Sequence, residues 1–210
     1  MALAHAPLTR RKLTWDEYAA IQAQTEERLE LIDGEIFHPM AGARKNHYLI
    51  SSNLMEGCII AARGVARFFS GDTQVAIGEN EIAYPDGTLT VQAEFTRRGT
   101  DILLNPVVVF EILSESTGPH DFLRKLPKYF RMPSVREVVL IDSTQYHVMH
   151  YRRAEGGEWQ LRLLVDLADA VRLESVAAVL PLADLYRDVT LPETESGTEV
   201  QTDPSLEAQS

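Results

Sequence analysis

The pattern of apolar and polar positions predicts four helices among many short strands. Helices are expected over about 15–26, 47–63, 120–131 and 182–187. Thr14 and Glu17 have the spacing of a capping box, which places the start of the first helix at Trp15. Pro127 lies inside the third helix and is expected to disturb it, because an interior proline removes a backbone hydrogen bond.

The other apolar runs are short and are broken by Gly, Asn and Asp, which is typical of strands joined by turns. Strands are predicted over 28–32, 35–38, 67–70, 73–77, 88–91, 106–113, 135–142, 145–151, 159–165 and 171–173, and loops over 42–46, 95–101 and 114–119. Asp33 and Gly34 predict a tight hairpin turn between the first two strands. The pattern therefore indicates an α/β fold, with a central mixed β-sheet flanked by helices and an N-terminal helix-hairpin.

Composition favours a single domain. The chain has 210 residues, of which 45% are hydrophobic, enough for one sizeable core. We expect a domain over 13–190, a flexible N-terminus over 1–12 and a disordered acidic tail over 191–210, which holds five acidic residues and no Lys or Arg. Cys58 is the only cysteine, so an internal disulfide and a cysteine-based zinc site are excluded.

Charge and hydropathy limit the cellular location and the kind of DNA binding that we expect. No apolar run approaches the ~18 residues of a membrane span, and Met1 to Lys12 lacks the apolar stretch of a signal peptide. A cytoplasmic protein is therefore expected. The formal net charge of −11 argues against tight non-specific binding to DNA, because such binding depends on neutralising phosphates.

Asp86 and Glu111 are the residues most suited to carry chemistry. Asp86 follows Pro85 just ahead of one predicted strand, and Glu111 ends the apolar run 107–110 of another. A buried carboxylate needs a partner, and Mg²⁺ is one that takes one or two carboxylates together with water and phosphate oxygens. The spacing between the two acids suits adjacent strands joined by a turn.

An ordered series of motifs resembles the Uma-two putative restriction endonuclease family, part of the PD-(D/E)xK nuclease superfamily. The series comprises Arg28 to Glu35, Asn46-His47 at the start of a helix, Glu111-Ile112-Leu113, Asp121-x-x-x-Lys125-x-x-x-Tyr129 and Leu140-Ile141-Asp142. The resemblance covers roughly Leu13 to Asp188. It implies a restriction-endonuclease-like fold and a Mg²⁺- or Mn²⁺-dependent endonuclease that hydrolyses DNA phosphodiester bonds. DNA is then the expected partner, and a homodimer is compatible with it.

The resemblance also implies roles for individual residues. The implied metal ligands are Asp86, Glu111, the backbone carbonyl of Ile112 and Glu30, and the implied catalytic residues are Asp86, Glu111, Lys125, Glu30 and His47. The superfamily lysine normally stands two residues after the acid, where this chain has Leu113. In this family the lysine corresponds to Lys125 on the following helix, and Lys128 is the alternative.

Plainer interpretations exist for each of these residues. Asp86 could be a turn residue, Glu111 could pair with Arg124 or Arg136, Lys125 could be a solvated charge, Glu30 an exposed strand position, His47 a surface residue, Asp121 a helix cap and Tyr129 core filling. Two other functions stay open beside the nuclease. One is a catalytically degenerate nuclease-fold protein that binds nucleic acid or protein, and the other is a hydrolase of a smaller phosphoester.

Overall fold

A computed structural model describes residues 11–38, 45–97, 101–114 and 119–191. The segments expected to be flexible (1–12) and disordered (191–210) therefore lie almost wholly outside the described residues. Within the described ranges, no helix has the length and apolar character needed to span a bilayer.

Four helices form close to the predicted places. They are α1 (Trp15–Gln22), α2 (Lys45–Ala61), α3 (Pro119–Arg131) and α4 (Leu182–Leu185). The capping box is confirmed, since the Thr14 hydroxyl accepts from the Glu17 amide and the Glu17 carboxylate accepts from the Thr14 amide. The first helix ends at Gln22 rather than near Glu26. The side-chain amide of Gln22 donates to the Glu27 carbonyl at 2.7 Å, which holds the following residues in a turn instead of a further helical turn.

Two other helix predictions need correction. Helix α2 already includes residues 45 and 46, which were expected to be loop. Helix α3 continues through Pro127. The carbonyl that loses its hydrogen bond there belongs to Leu123, four residues earlier, and both residues are exposed, so water can replace the missing donor.

The strands are short and numerous. They are β1 (Glu30–Ile32), β2 (Glu35–Phe37), β3 (Arg67–Ser70), β4 (Val75–Gly78), β5 (Glu81–Ala83), β6 (Gly87–Thr90), β7 (Phe95–Arg97), β8 (Asp101–Leu103), β9 (Val108–Leu113), β10 (Glu137–Asp142), β11 (Val148–Arg153), β12 (Trp159–Leu164), β13 (Ala170–Leu173) and β14 (Ala178–Pro181). A 3₁₀ turn, Glu174–Val176, joins the last two.

These strands build two six-stranded mixed sheets and a two-stranded ribbon. The β9 sheet has the order β12-β11-β10-β9-β6-β3, with β9 and β10 parallel. The β1 sheet has the order β2-β1-β5-β4-β8-β7, with β4 and β8 parallel. Asp33 and Gly34 both have positive φ between the antiparallel strands β1 and β2. The segment predicted as a loop over 95–101 instead contributes β7 and the start of β8.

Side chains on the two faces of β9 pack in two different apolar clusters. Val108, Phe110 and Ile112 pack in the apolar cluster that includes α2 and α4 residues. Val109 packs in the cluster that holds α3 residues and much of the β1 sheet. Because successive side chains of a strand point to opposite faces, Glu111 shares the face of Val109 and points toward α3.

Candidate active site

Asp86 lies immediately before the first residue of β6, beside β9. That first residue, Gly87, pairs with Phe110 of the antiparallel strand β9. The next position along β9 toward its C-terminal end is filled by the Asp86 side chain, whose Oδ2 accepts a hydrogen bond from the Ile112 amide at 2.7 Å. The two candidate acids therefore flank adjacent strands, as predicted. The chain does not join those strands by a turn, however, because β7 and β8 of the other sheet intervene.

The Ile112 carbonyl points toward the same place. In a strand, the amide and carbonyl of one residue face the same neighbouring strand, and successive residues alternate. The Leu113 carbonyl accepts from Ser143, on the β10 side. The Ile112 amide and carbonyl therefore face the opposite side, where Asp86 lies just before the first residue of β6.

Glu111 is buried, with 9% of its surface exposed. The Tyr129 hydroxyl donates to its Oε1 at 2.6 Å, and the Lys125 ammonium lies 3.7 Å from the same oxygen. No described residue bonds the other oxygen, Oε2. The alternative ion pairs of Glu111 do not form: the Arg124 guanidinium lies over the Phe37 ring, and Arg136 lies beside Val107 at the opposite end of β9.

Glu30 connects the β1 sheet to this site. Its Oε1 accepts from the Lys125 ammonium at 2.7 Å and from the Tyr84 amide at 2.8 Å. Glu30 is 3% exposed and Lys125 is 8% exposed, so neither is the solvated residue of the plainer interpretation. The contact with Glu30 fixes the position of the Lys125 ammonium, 3.7 Å from Glu111 Oε1.

The other candidate lysine lies elsewhere. Lys128 Nζ is 2.7 Å from Asp33 Oδ1 and 2.5 Å from Glu81 Oε1, at the β1–β2 turn. Of the two lysines, Lys125 is therefore the one that the structure brings to Glu111. The Asp121 side chain, one turn before Lys125, lies outside what the structure describes.

His47 approaches Asp86 from the first turn of α2. Its Nε2 is 3.2 Å from Asp86 Oδ1, while its buried Nδ1 has no hydrogen-bond partner among the described residues. The preceding Asn46 fixes this turn by donating to the Thr190 carbonyl at 3.0 Å. His47 is therefore not the surface residue of the plainer interpretation.

Burial and neighbouring charges shift the pKa values of these groups. Burial lowers the pKa of His47, but the hydrogen bond to Asp86 and the charges of Asp86 and Glu111 outweigh it and raise that pKa overall. Burial raises the pKa of Glu111 to about 7, against the opposing charge of Lys125. Burial opposes the charge of Lys125 as well, yet Glu111 and Glu30 together raise its pKa.

The site is therefore short of positive charge. Three carboxyl groups, those of Glu30, Asp86 and Glu111, face the Lys125 ammonium and the His47 imidazole, so acidic groups outnumber basic ones. Among the described residues no three His, Cys, Asp or Glu side chains group closely enough to hold a metal ion by themselves. Two carboxylates, a backbone carbonyl and water would nevertheless form a set of hard oxygen ligands of the kind that Mg²⁺ accepts.

The raised pKa of Glu111 predicts a pH dependence of stability in chelator. Between 4.5 and about 7 the folded protein binds this proton more than the unfolded chain does, so the contribution of Glu111 to stability falls as pH rises through that window. Glu111→Gln removes the titration. We expect its melting temperature, relative to wild type, to be higher at pH 8 than at pH 5 by differential scanning fluorimetry. An equal difference at both pH values would contradict the expectation.

Two residues of the site were not assigned a role by the sequence analysis. Tyr129 was open to interpretation as core filling, although its position four residues after Lys125 on α3 places both on one helix face. Tyr84 contributes its backbone amide to Glu30, a contact that no sequence pattern signals.

Comparison with known proteins agrees with this architecture. The family Uma2, described as "Putative restriction endonuclease", matches residues 15–183. Two Synechocystis proteins are similar: the uncharacterized protein sll1609 is 34% identical over 161 residues, covering 75% of this chain and 90% of the relative. The uncharacterized protein slr1290 is 28% identical over 188 residues, covering 88% of this chain and 97% of the relative.

A solved structure shares the fold. The crystal structure of a putative nuclease belonging to DUF820 from Anabaena variabilis superposes with a TM-score of 0.65 at 19% identity, covering 83% of this chain and 97% of the other. The predicted restriction-endonuclease-like fold is thus confirmed. The family match spans most of the chain, including every residue of the site described above, and the chain belongs to the Uma2 family of restriction-endonuclease-like proteins.

Proposed function

We propose that this protein is a metal-dependent endonuclease that hydrolyses phosphodiester bonds of DNA. The observation that carries the proposal is the convergence of Asp86, Glu111 and Lys125 beside the start of β6 and the end of β9, in a member of a nuclease-type family. An endonuclease site needs negative charge to hold a cation and a fixed positive group near the phosphate, and this convergence supplies both.

Asp86, Glu111 and the Ile112 carbonyl are the groups that would hold Mg²⁺ or Mn²⁺. The surplus of carboxylates over ammonium groups favours a cation there, and the Oε2 of Glu111 has no described partner. When bound, the ion would supply positive charge to the phosphoryl oxygens and lower the pKa of a water molecule. Tyr129 fixes the Glu111 carboxylate by donating to Oε1, so the rotamer that presents Oε2 is maintained.

Lys125 is the electrostatic stabiliser in this proposal. Its ammonium stays protonated because Glu111 and Glu30 raise its pKa, so it can place positive charge beside a phosphoryl oxygen. Glu30, which the family resemblance implied as a further ligand, is assigned here as the residue that positions Lys125. That assignment follows from the 2.7 Å contact between the two side chains.

His47 positions Asp86. Its Nε2 lies against Asp86 Oδ1, while Asp86 Oδ2 is held by the Ile112 amide, so both oxygens of that carboxylate are oriented. With the proton on Nε2, the imidazole donates to Asp86, while Nδ1 is buried away from water, so the role proposed for His47 is positioning.

The test is a divalent-metal titration followed by a nuclease assay. Supercoiled, linear double-stranded and single-stranded DNA would each be incubated with the protein and Mg²⁺ or Mn²⁺, with a chelator control and a small phosphodiester in parallel. We expect cleavage of DNA that begins only with metal. If no DNA form is cleaved with either metal, the endonuclease proposal fails. Hydrolysis of the small phosphodiester alone would then favour the phosphoesterase, and binding without hydrolysis the degenerate protein.

A further inference from the structure

A cavity of about 620 Å³ opens between α1 and the β1 sheet. Its walls include the aromatic residues Trp15, Phe69, Tyr84 and Phe95 among several polar ones. The Phe69 and Phe95 rings meet edge to face with centroids 5.7 Å apart, and Phe95 remains 41% exposed. A cavity of this size with aromatic walls and a few polar groups has the character of a small-ligand site.

The floor of the cavity is polar and ordered. The side-chain amide of Gln74 donates to the Tyr18 hydroxyl at 3.0 Å and to the Tyr84 hydroxyl at 2.8 Å. The Tyr18 hydroxyl in turn donates to the Leu29 carbonyl at 2.7 Å. Both N–H groups of the Gln74 side chain and the O–H of Tyr18 are used in these bonds, so the Tyr84 hydroxyl is the group that can bond the edge of a planar ring while the aromatic walls stack on its faces.

Tyr84 belongs both to this cavity and to the active site. Its ring lines the cavity, while its backbone amide donates to Glu30, the partner of Lys125. Asp86 follows two residues later. Tyr84 therefore separates the cavity from the groups that are proposed to act on the phosphate.

We propose that this cavity binds an unpaired nucleobase of the DNA substrate, next to the phosphate that is cleaved. The substrate in this proposal rests on the function proposed above. A base turned out of the stack can lie between aromatic side chains and present its polar edge to fixed hydrogen-bonding groups.

The acidic residues of the cavity favour binding of a base over binding of a phosphate. Asp72 and Asp101 line the cavity and are both exposed, and Asp72 pairs with Arg28. These carboxylates repel a phosphate but can accept hydrogen bonds from the exocyclic amino groups of a base. The phosphate of the same nucleotide is then left to Lys125, outside the cavity.

The test uses ligands without a phosphate and a variant that fills the cavity. The four deoxynucleosides and, as a base-free comparison, deoxyribose 5-phosphate would be titrated by isothermal calorimetry into the full-length protein in chelator. Ala19 lines the cavity, whereas Ala20, the next residue of α1, is exposed and does not line it. Ala19→Phe and Ala20→Phe therefore form a matched pair.

We expect at least one deoxynucleoside to bind and the sugar phosphate not to bind. Ala19→Phe should weaken nucleoside binding by roughly tenfold or more, because it occupies the space in which a base would stack, while Ala20→Phe leaves binding unchanged. Phe95→Ala removes an exposed aromatic wall of the cavity and adds no volume, so it should also weaken nucleoside binding. This second variant tests the proposal even if Ala19→Phe lowers the melting temperature of the protein.

Binding of the sugar phosphate as strongly as the nucleosides, no binding of any nucleoside, or unchanged binding in Phe95→Ala would each overturn the proposal. Glu111→Gln separates it from the proposed nuclease function. This variant should bind the nucleosides as wild type does even though its cleavage is lost, and nucleoside binding by a protein that cleaves no DNA would support the cavity while refuting the endonuclease.

Discussion

Lys125→Met is expected to lower the rate of DNA cleavage by roughly two orders of magnitude or more, the effect of losing one electrostatic stabiliser of about 3 kcal/mol. Methionine keeps much of the stem of the side chain but not the ammonium that lies 2.7 Å from Glu30 and 3.7 Å from Glu111. Metal binding should be retained, because Lys125 competes with a cation for Glu111. The measurement is the single-turnover cleavage rate together with the metal-induced shift in melting temperature.

Lys128→Met is the matched control for this prediction. The two lysines lie on the same helix and are equally buried, each 8% exposed, but Lys128 pairs with Asp33 and Glu81 away from the site. Both variants lose a partly buried ion pair, so both are expected to melt at lower temperature. Cleavage should fall far more in Lys125→Met. Normal cleavage by Lys125→Met, with loss of cleavage in Lys128→Met, would reverse the assignment.

Asp86→Asn and Glu111→Gln are each expected to abolish the stabilisation by Mg²⁺ or Mn²⁺. A ligand that binds only the folded state at about 100 times its Kd stabilises it by about 2.7 kcal/mol. In a chain of this length that corresponds to a rise in melting temperature of about 5–10 °C. The amides keep the size of the acids, and the side-chain carbonyl of an asparagine at position 86 could still accept from the Ile112 amide as Asp86 does, so folding should be preserved. The readout is a melting curve with and without metal.

Asp33→Asn supplies the control for a general loss of negative charge. Asp33 lies at the β1–β2 turn with φ of 55°, a conformation that asparagine also tolerates, and it contacts Lys128 rather than the site. This variant should keep the full metal-induced shift. A shift that persists undiminished in both Asp86→Asn and Glu111→Gln would remove the proposed metal site.

Part of the site could be predicted because its signals are local. The apolar run before Glu111 predicts a buried strand, and a carboxylate at its end requires a partner. Lys125 and Tyr129 follow at helical spacing, so their common face could also be deduced. The family resemblance supplied Glu30 and His47, for which the local sequence offers no signal of burial or of a partner.

Only part of the β1 sheet could be predicted. Strands β1, β2 and β4 were predicted, the first two with the help of the turn signal at Asp33-Gly34. Strands β5, β7 and β8 were missed, because each has three residues, too few for an alternating pattern, and no such turn signal marks them. Strand β4 meets β8 through the pairing of Val75 with Leu103, which no local pattern links. The expectation that a turn joins the strands of Asp86 and Glu111 fails for the same reason, since the intervening chain crosses to the other sheet.

The contact between Lys125 and Glu30 makes the proposed site sensitive to partial unfolding of the protein. Glu30 belongs to the β1 sheet, Glu111 to the β9 sheet, and Lys125 to the helix between them, so the catalytic constellation exists only while the two layers remain docked. A partly open molecule that keeps the β9 sheet intact but releases the β1 sheet would lose the group that orients its lysine. In the proposed enzyme, local opening of the contact between the β1 sheet and α3 would therefore be enough to stop cleavage, even while the β9 sheet stays folded.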